Sequence, residues 1–330
     1  MTSNAQTAAA STRDPAEEHA RLVDLVGRGD VVVLSGAGLS TDSGIPDYRG
    51  PDGTRRVTPM QYAEFTGSSA ARQRYWARSF IGWQRFSRAA PNSGHRSVAR
   101  LQELGLLAGI VTQNVDRLHQ GAGARDVIEL HGNLDDVVCL TCGDRSTRRD
   151  LHERMDGANP GFADRVRALA LDGSRVSRQI RPDGDIVLEE QVVATFRMPH
   201  CLVCAADTLK PDVVFFGESV PKTTVEQSFA LVERAASLLV LGSSLAVMSG
   251  YRFVRRAARD GIPVAIVTAS PSRGDGEASV RLHTPLAETL TALVARLSGD
   301  GSARGQPVQT RRRTAVTLPR IDASSPSMGE

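Results

Sequence analysis

The stretch that decides the fold runs from Val31 to Gly50, VVVLSGAGLSTDSGIPDYRG. Val31-Val32-Val33-Leu34 is a β-branched apolar run, too short for a helix. It predicts a strand buried on both faces, as in a parallel sheet. Gly36-Ala37-Gly38 follows at once. Two glycines allow a tight turn and close approach to a bound group, and amides opening a helix there would face an anion. Strand, glycine turn and helix start are the arrangement that holds a dinucleotide pyrophosphate. The third glycine, Gly44, comes too late for G-x-G-x-x-G spacing, so on these residues alone a turn without ligand stays open. Gly44-Ile45-Pro46-Asp47-Tyr48-Arg49-Gly50 then sets a proline-stiffened loop, an acid, an aromatic and an arginine beside the turn. A structural connection rarely needs all four.

The rest of the chain supplies an α/β rhythm. A helix is expected from Pro15, with Leu22, Val23 and Val26 on one face. Further strands are expected at Gly109–Thr112, Val127–Leu130, Val213–Phe216, Leu238–Leu241 and Val264–Val267. Helices run between them, one capped by Ser93, and a last one carries Leu286, Leu290, Leu293 and Leu297. Alternation of apolar strands and helices predicts a doubly wound parallel, Rossmann-like sheet. The sheet is assembled from 17–53, 93–135 and 209–297. Two insertions, a helical one at 54–92 and a loop-rich one at 136–208, form a smaller domain. The segments 1–16 and 298–330 lack apolar periodicity and read as disordered tails. Tyr62, Phe65, Tyr75, Trp76, Phe80, Trp83 and Phe86 lie among arginines. Their helical spacing favours a local core over nucleic-acid stacking.

Composition narrows the class further. The 330 residues are 41% apolar with a formal charge of +3, which demands neither nucleic acid nor a membrane surface. No apolar run reaches the length of a membrane span. The first twenty or so residues lack an apolar signal core and carry Asp14, Glu17 and Glu18, so cytoplasm is expected. All four cysteines fall in C-x-x-C pairs, Cys139/Cys142 and Cys201/Cys204, separated by roughly 58 residues. Two such knuckles suit one tetrahedral, structural zinc ion, with a redox dithiol or two disulfides as alternatives. Full thiolate ligation leaves no vacant position for water, and His200 is not needed as a ligand. Polar groups gather past strand ends at Gln113-Asn114-Val115-Asp116, at His131 and at Gly242-Ser243-Ser244, where open α/β sheets bind ligands. His95, His119, His152 and His283 read as ordinary satisfied histidines.

These motifs together resemble the sirtuins, the NAD-dependent protein lysine deacylases, over most of the chain from about Glu17 to Leu297. Gly36-Ala37-Gly38, Ser40 and Gly44-Ile45-Pro46-Asp47-Tyr48-Arg49 resemble the family signature, and Thr112-Gln113-Asn114-Val115-Asp116 its nicotinamide-pocket motif. His131-Gly132 is similar to the catalytic histidine motif, and Lys210 to Glu218 to the substrate-backbone strand. Gly242-Ser243-Ser244-Leu245 resembles the ribose-binding turn, and Gly242 to Phe253 looks most like the class II branch. That branch is credited with deacetylase, lipoamidase and ADP-ribosyltransferase activities.

The resemblance implies NAD over the strand ends, held by Gly36, Ala37, Gly38, Ser40, Asp47, Tyr48, Arg49, Gln113, Asn114, Asp116, Gly242, Ser243, Ser244, Thr268 and Leu286. It implies His131, Asn114 and Asp116 as catalytic, and an acylated-lysine protein or peptide against Val214, Phe215, Phe216, Gly217 and Glu218. Zinc on the four cysteines is also a family feature. Two departures stand out. Tyr48 replaces the more common Phe, and Thr268 stands where an adenosine-binding Asn is usual. Tyr75 and Arg78, three apart on one helix face, resemble the pair that grips acidic acyl groups in desuccinylating sirtuins; a solvated Arg beside a core Tyr is the alternative.

Overall fold

The computed structural model describes residues 14–49, 54, 58–171 and 186–299. The expected tails therefore lie mostly outside the described residues, as does Gly50. In chain order, α1 (Pro15–Gly27) leads into β1 (Val31–Ser35), and the glycine turn follows as two 3-10 turns, Ala37–Leu39 and Thr41–Ser43, not an α-helix. Then come α2 (Tyr62–Gly67), α3 (Ser69–Phe86), α4 (Ser93–Glu103), β2 (Leu107–Thr112), α5 (Leu118–Gly121) and β3 (Val127–Glu129). β4 (Gly132–Cys139), β5 (Arg145–Thr147), α6 (Arg148–Ala158), α7 (Phe162–Leu171), α8 (Glu190–Val193) and β6 (Leu209–Val213) follow. α9 (Lys222–Val232), β7 (Ser237–Leu241), α10 (Met248–Arg259), β8 (Val264–Val267), β9 (Val280–Leu282) and α11 (Leu286–Gly299) complete the chain.

Six strands form one parallel sheet in the spatial order β3-β2-β1-β7-β8-β9. Counted in chain order among themselves these are strands 3-2-1-4-5-6, the doubly wound Rossmann arrangement. Alternation along β1 explains the two helical layers. Val31 and Val33 pack with Leu22, Leu101 and Leu290 of α1, α4 and α11, while Val32 and Leu34 pack with Val232 and Phe253 of α9 and α10. Period-two side chains on a strand covered from both sides require this split.

A third core lies apart from the sheet. Phe65, Tyr75, Trp76 and Phe80 of α2 and α3 pack against Leu151, Met155, Phe162 and Phe196 from the cysteine-bearing insertion. Trp76 Nε1 donates to the Leu209 carbonyl at 2.9 Å, and Arg72 meets both carboxylate oxygens of Asp207. The aromatics thus pack a protein core.

Four local expectations are corrected. The strand expected at Val213–Phe216 lies earlier, as β6, and pairs antiparallel with β4 in a separate three-stranded sheet. Residues 214–216 lie past the end of β6: the Val214 amide donates to the His131 carbonyl, Phe216 bridges to Gln61, Phe215 packs against Phe65, and all three line a cavity. The cap of α4 is Asn92, whose Oδ1 accepts from the Gly94 and His95 amides, while Ser93 is already helical. β9 was not expected at all; its three residues alternate too briefly to be read. The loop-rich insertion contains α6, α7 and α8.

The loops beyond β1 and β7 meet backbone to backbone. Gly36 N–H donates to the Leu241 carbonyl at 2.9 Å and Gly38 N–H to the Gly242 carbonyl at 2.8 Å. A β-carbon on Gly242, whose φ is +61°, would lie 2.5 Å from the Leu39 nitrogen. Gly242→Ala should therefore lower stability by at least about 1 kcal/mol, read as an earlier midpoint in urea unfolding.

Candidate active site

The switch point between β1 and β7 opens into a cavity of about 890 Å³. Its walls carry nearly every residue singled out from the sequence outside the cysteine pairs. Gly36, Ala37, Gly38 and Ser40 come from the turn after β1, and Asp47, Tyr48 and Arg49 from the loop behind it. Gln113, Asn114 and Asp116 follow β2, His131 precedes β4, and Gly242, Ser243 and Ser244 follow β7. Thr268 and Leu286 also line the cavity, as do Val214, Phe215, Phe216, Gly217, Glu218 and Tyr75. Arg78 is not among the lining residues. Tyr75 packs edge-on against Phe65 and Trp76.

The cavity floor is a buried polar lattice. Ser40 Oγ donates to Asp116 Oδ2 at 2.6 Å and accepts from Asn114 Nδ2 at 3.0 Å. Asn114 Nδ2 also donates to the Gly36 carbonyl, and Asp116 Oδ1 accepts from the Leu118 amide. Burial raises the Asp116 carboxyl above its usual range, opposed by the Ser40 and Leu118 hydrogen bonds that favour the ionised form. His95 and His119 lie beneath, both fully buried. His95 Nε2 approaches Ser40 Oγ at 3.5 Å, and His119 Nε2 meets Ser35 Oγ at 2.8 Å. Ser35 Oγ donates on to Thr112 Oγ1, which receives the Asn114 amide. Burial pulls the two imidazoles down, His95 to about 3 and His119 to about 4. Both are therefore neutral hydrogen-bonding parts of the floor, a role their spacing in sequence does not signal.

His131 stands at the cavity wall. Its Nδ1 is 2.9 Å from the Gln113 carbonyl and its Nε2 is 2.8 Å from Ser249 Oγ. A carbonyl only accepts, so the proton sits on Nδ1 and Nε2 carries the lone pair. Burial lowers the imidazole below its ordinary range, the Gln113 bond opposes this, and Arg252 reinforces it. Glu218 is held from behind: its Oε2 accepts from the Phe215 amide at 2.8 Å and lies 3.1 Å from buried Lys210 Nζ. Lys210 also donates to the Val213 carbonyl, so the 213–218 turn is braced internally.

The four cysteine sulfurs lie within 4.8 Å of one another. Cys139 and Cys204 Sγ are 3.6 Å apart, Cys142 and Cys201 Sγ 3.7 Å. A disulfide needs about 2.05 Å, whereas a tetrahedron with Zn–S bonds of about 2.3 Å has sulfurs about 3.8 Å apart. The set fits one structural zinc ion. His200 instead points its Nδ1 at the Ala205 carbonyl, 2.9 Å away.

Sheet order and crevice define a Rossmann-like nucleotide-binding protein with a separate cysteine-stapled lobe. Within that class the chain belongs to the Sir2 family, whose model matches residues 36–249. It is 54% identical over 279 residues to NAD-dependent protein deacetylase 1 of Streptomyces coelicolor, covering 84% of this chain and 89% of the relative. It is 47% identical to NAD-dependent protein deacetylase 1 of Mycobacterium avium, covering 85% of this chain and 96% of the relative. Among solved structures, one described as "Sir2-p53 peptide-NAD+" matches with a TM-score of 0.65 and 28% identity, over 85% of this chain and 98% of that one. Among the described residues, no helix is long and apolar enough to cross a membrane.

Because thiolates hold the lobe only through the ion, Cys142→Ser should release the zinc and lower the thermal midpoint. Metal content by mass spectrometry, alongside a melt of the same sample, checks both.

Proposed function

We propose that this chain is an NAD-dependent protein lysine deacetylase, acting on acetylated lysine in a protein or peptide and releasing nicotinamide, O-acetyl-ADP-ribose and free lysine. One observation carries the reading: Asn114, Asp116 and His131 share a cavity with both glycine loops, in a chain 54% identical to a relative named for that activity. The solved neighbour described with a p53 peptide and NAD+ supports a peptide co-substrate.

NAD, consumed as a substrate, supplies the ribose carbon that the acyl oxygen attacks as nicotinamide leaves. The protein's part is placement and proton handling. The turns at Gly36–Gly38 and Gly242–Ser244 offer backbone and small side chains to the dinucleotide, with Arg49 also lining the cavity. Asn114 and Asp116 present fixed polar groups to the nicotinamide and its ribose, their other contacts already satisfied by Ser40, Gly36 and Leu118. Val214 to Glu218, braced by Lys210, offers backbone to the peptide. His131 Nε2 is the general base toward the ribose hydroxyls. With Tyr75 on the cavity wall and Arg78 off it, the acyl end suits a small neutral group. Ligation through reduced thiols supports a reducing, cytoplasmic setting.

His131→Ala should lower deacetylation by about 10²–10⁴-fold, with NAD binding still measurable by calorimetry. The base acts as neutral imidazole and its folded pKa is lowered, so in wild type the acid limb of kcat/KM should lie below pH 6.5. A limb at or above that value would remove His131 from the role. Acetyl-lysine peptide should outpace succinyl-lysine peptide at equal concentration by about tenfold or more if Arg78 does not reach the acyl end, since a carboxylate left without a partner there costs at least about 1.4 kcal/mol. Nicotinamide release measures both rates.

A further inference from the structure

His131 is gripped at both ring nitrogens. With Nδ1–H committed to the Gln113 carbonyl, the neutral ring has a single lone pair, on Nε2. Ser249 Oγ, 2.8 Å away, is the group that occupies it. Any hydroxyl that His131 is to deprotonate must either displace this serine or work through it. Displacement would give up a short, well-placed hydrogen bond. Working through it gives up nothing, because a donating hydroxyl keeps two lone pairs free to accept.

The position of Ser249 is built in. It lies in the first turn of α10 and lines the same cavity as His131. A β-carbon on the next residue, Gly250, would fall 2.4 Å from Gln113 Oε1. The Gln113 amide is itself held by Ser243 Oγ at 2.8 Å and the Ser35 carbonyl at 3.3 Å. The first turn of α10 therefore presses on the very residue whose carbonyl orients His131. Arg252, one turn further on, lines the cavity too.

We propose that Ser249 is a catalytic proton relay between the substrate ribose hydroxyl and His131. This rests on the deacetylase reading above. The ribose O–H bond breaks and its proton bonds to Ser249 Oγ, while the Ser249 proton moves to the Nε2 lone pair. The electron pair left on the ribose oxygen forms a bond to the acyl carbon, whose π electrons move onto the lysine nitrogen. His131 ends as imidazolium with Nδ1–H still on the Gln113 carbonyl, and the serine ends as it began.

The test compares wild type, Ser249→Ala and Ser249→Thr on one acetyl-lysine peptide, with the His131 ring titrated by NMR in each. Charged groups lining the cavity around the ring are Arg252, Asp116, Asp47, Arg49, Glu218 and Lys222, and all three proteins retain them. Ser249→Ala should lower kcat about tenfold or more while KM for NAD stays within about twofold. Ser249 Oγ donates to Nε2 of the neutral ring and accepts from Nε2–H of the imidazolium, and the bond to the charged ring is the stronger, so its loss should move the His131 titration and the acid limb of the rate profile to lower pH. Threonine should restore all three readings. Wild-type kcat in the alanine variant overturns the relay. So does a fall in kcat with an unmoved titration and no rescue by threonine, which marks packing alone. A wild-type protein that never liberates nicotinamide sinks the deacetylase reading first and takes the relay with it.

Discussion

The contact on which the rest of the structure depends is the backbone join between the turns after β1 and β7. These strands are neighbours in the sheet, yet some two hundred residues separate them in the chain. At a switch point the connections run to opposite faces, so their first residues must pass each other at the sheet's carboxyl edge. Gly36 N–H to Leu241 and Gly38 N–H to Gly242 satisfy the backbone there, which buried peptide groups require. The glycines therefore serve protein–protein approach as much as ligand approach. β-Carbons at Gly36 and Gly38 would come within 2.8 Å of Ser243 Cβ and of the Gly242 carbonyl respectively. One steric requirement thus joins the two turns that line the crevice.

Polar groups that deep are costly unless partnered, and the floor meets the cost with contacts drawn from many elements. Ser35 ends β1, Thr112 ends β2, Ser40 lies between the two 3-10 turns, His95 in α4 and His119 in α5. Their hydrogen bonds converge on Asn114 and Asp116. Among these groups only His119 Nδ1 lacks a partner, and its lone pair is the acceptor that a neutral ring leaves over. A neutral histidine pair suits this place: it supplies donors and acceptors without another buried charge beside the Asp116 carboxyl. The dry floor that raises that carboxyl also strengthens every electrostatic contact made above it.

What could be read from the sequence follows from how local the cause is. Buried parallel strands such as Val31–Leu34 and Leu238–Leu241 carry their own signal, because both faces must be apolar. The cysteine spacing was legible for the same reason, since four soft donors in two knuckles allow few alternatives. Val213–Phe216 misled because an apolar run records burial, not hydrogen bonding; Val214, Phe215 and Phe216 are turned toward a cavity. Ser249 and His119 carry no local mark. A serine on a first helical turn is ordinary, and only the fold brings it within 2.8 Å of His131, 118 residues away in sequence.

The cysteine lobe and the crevice are joined by the strands that separate them. β4 begins immediately after His131 and ends at Cys139, a zinc ligand. β6 begins just past Cys204 and ends at Val213, where the cavity-lining turn begins. The two pair from Cys139↔Leu209 at one end to Gly132↔Val213 at the other, and the Val214 amide closes the join on the His131 carbonyl at 2.8 Å. β4 bulges between Gly132 and Val137, and the stretch of β6 paired across the same length, Leu209 to Val213, spans on the order of 14 Å, so the cysteines lie a strand's length from His131 and outside the cavity lining. An ion held there would act on the site mechanically, by fixing the far ends of the two strands whose near ends set the His131 ring and the cavity-lining turn. Lys210 makes the same point from inside the ladder. Its ammonium, buried between the strands and the Phe215 ring, holds the Val213 carbonyl and the Glu218 carboxylate together. The cavity-lining turn thus inherits its shape from the ladder behind it.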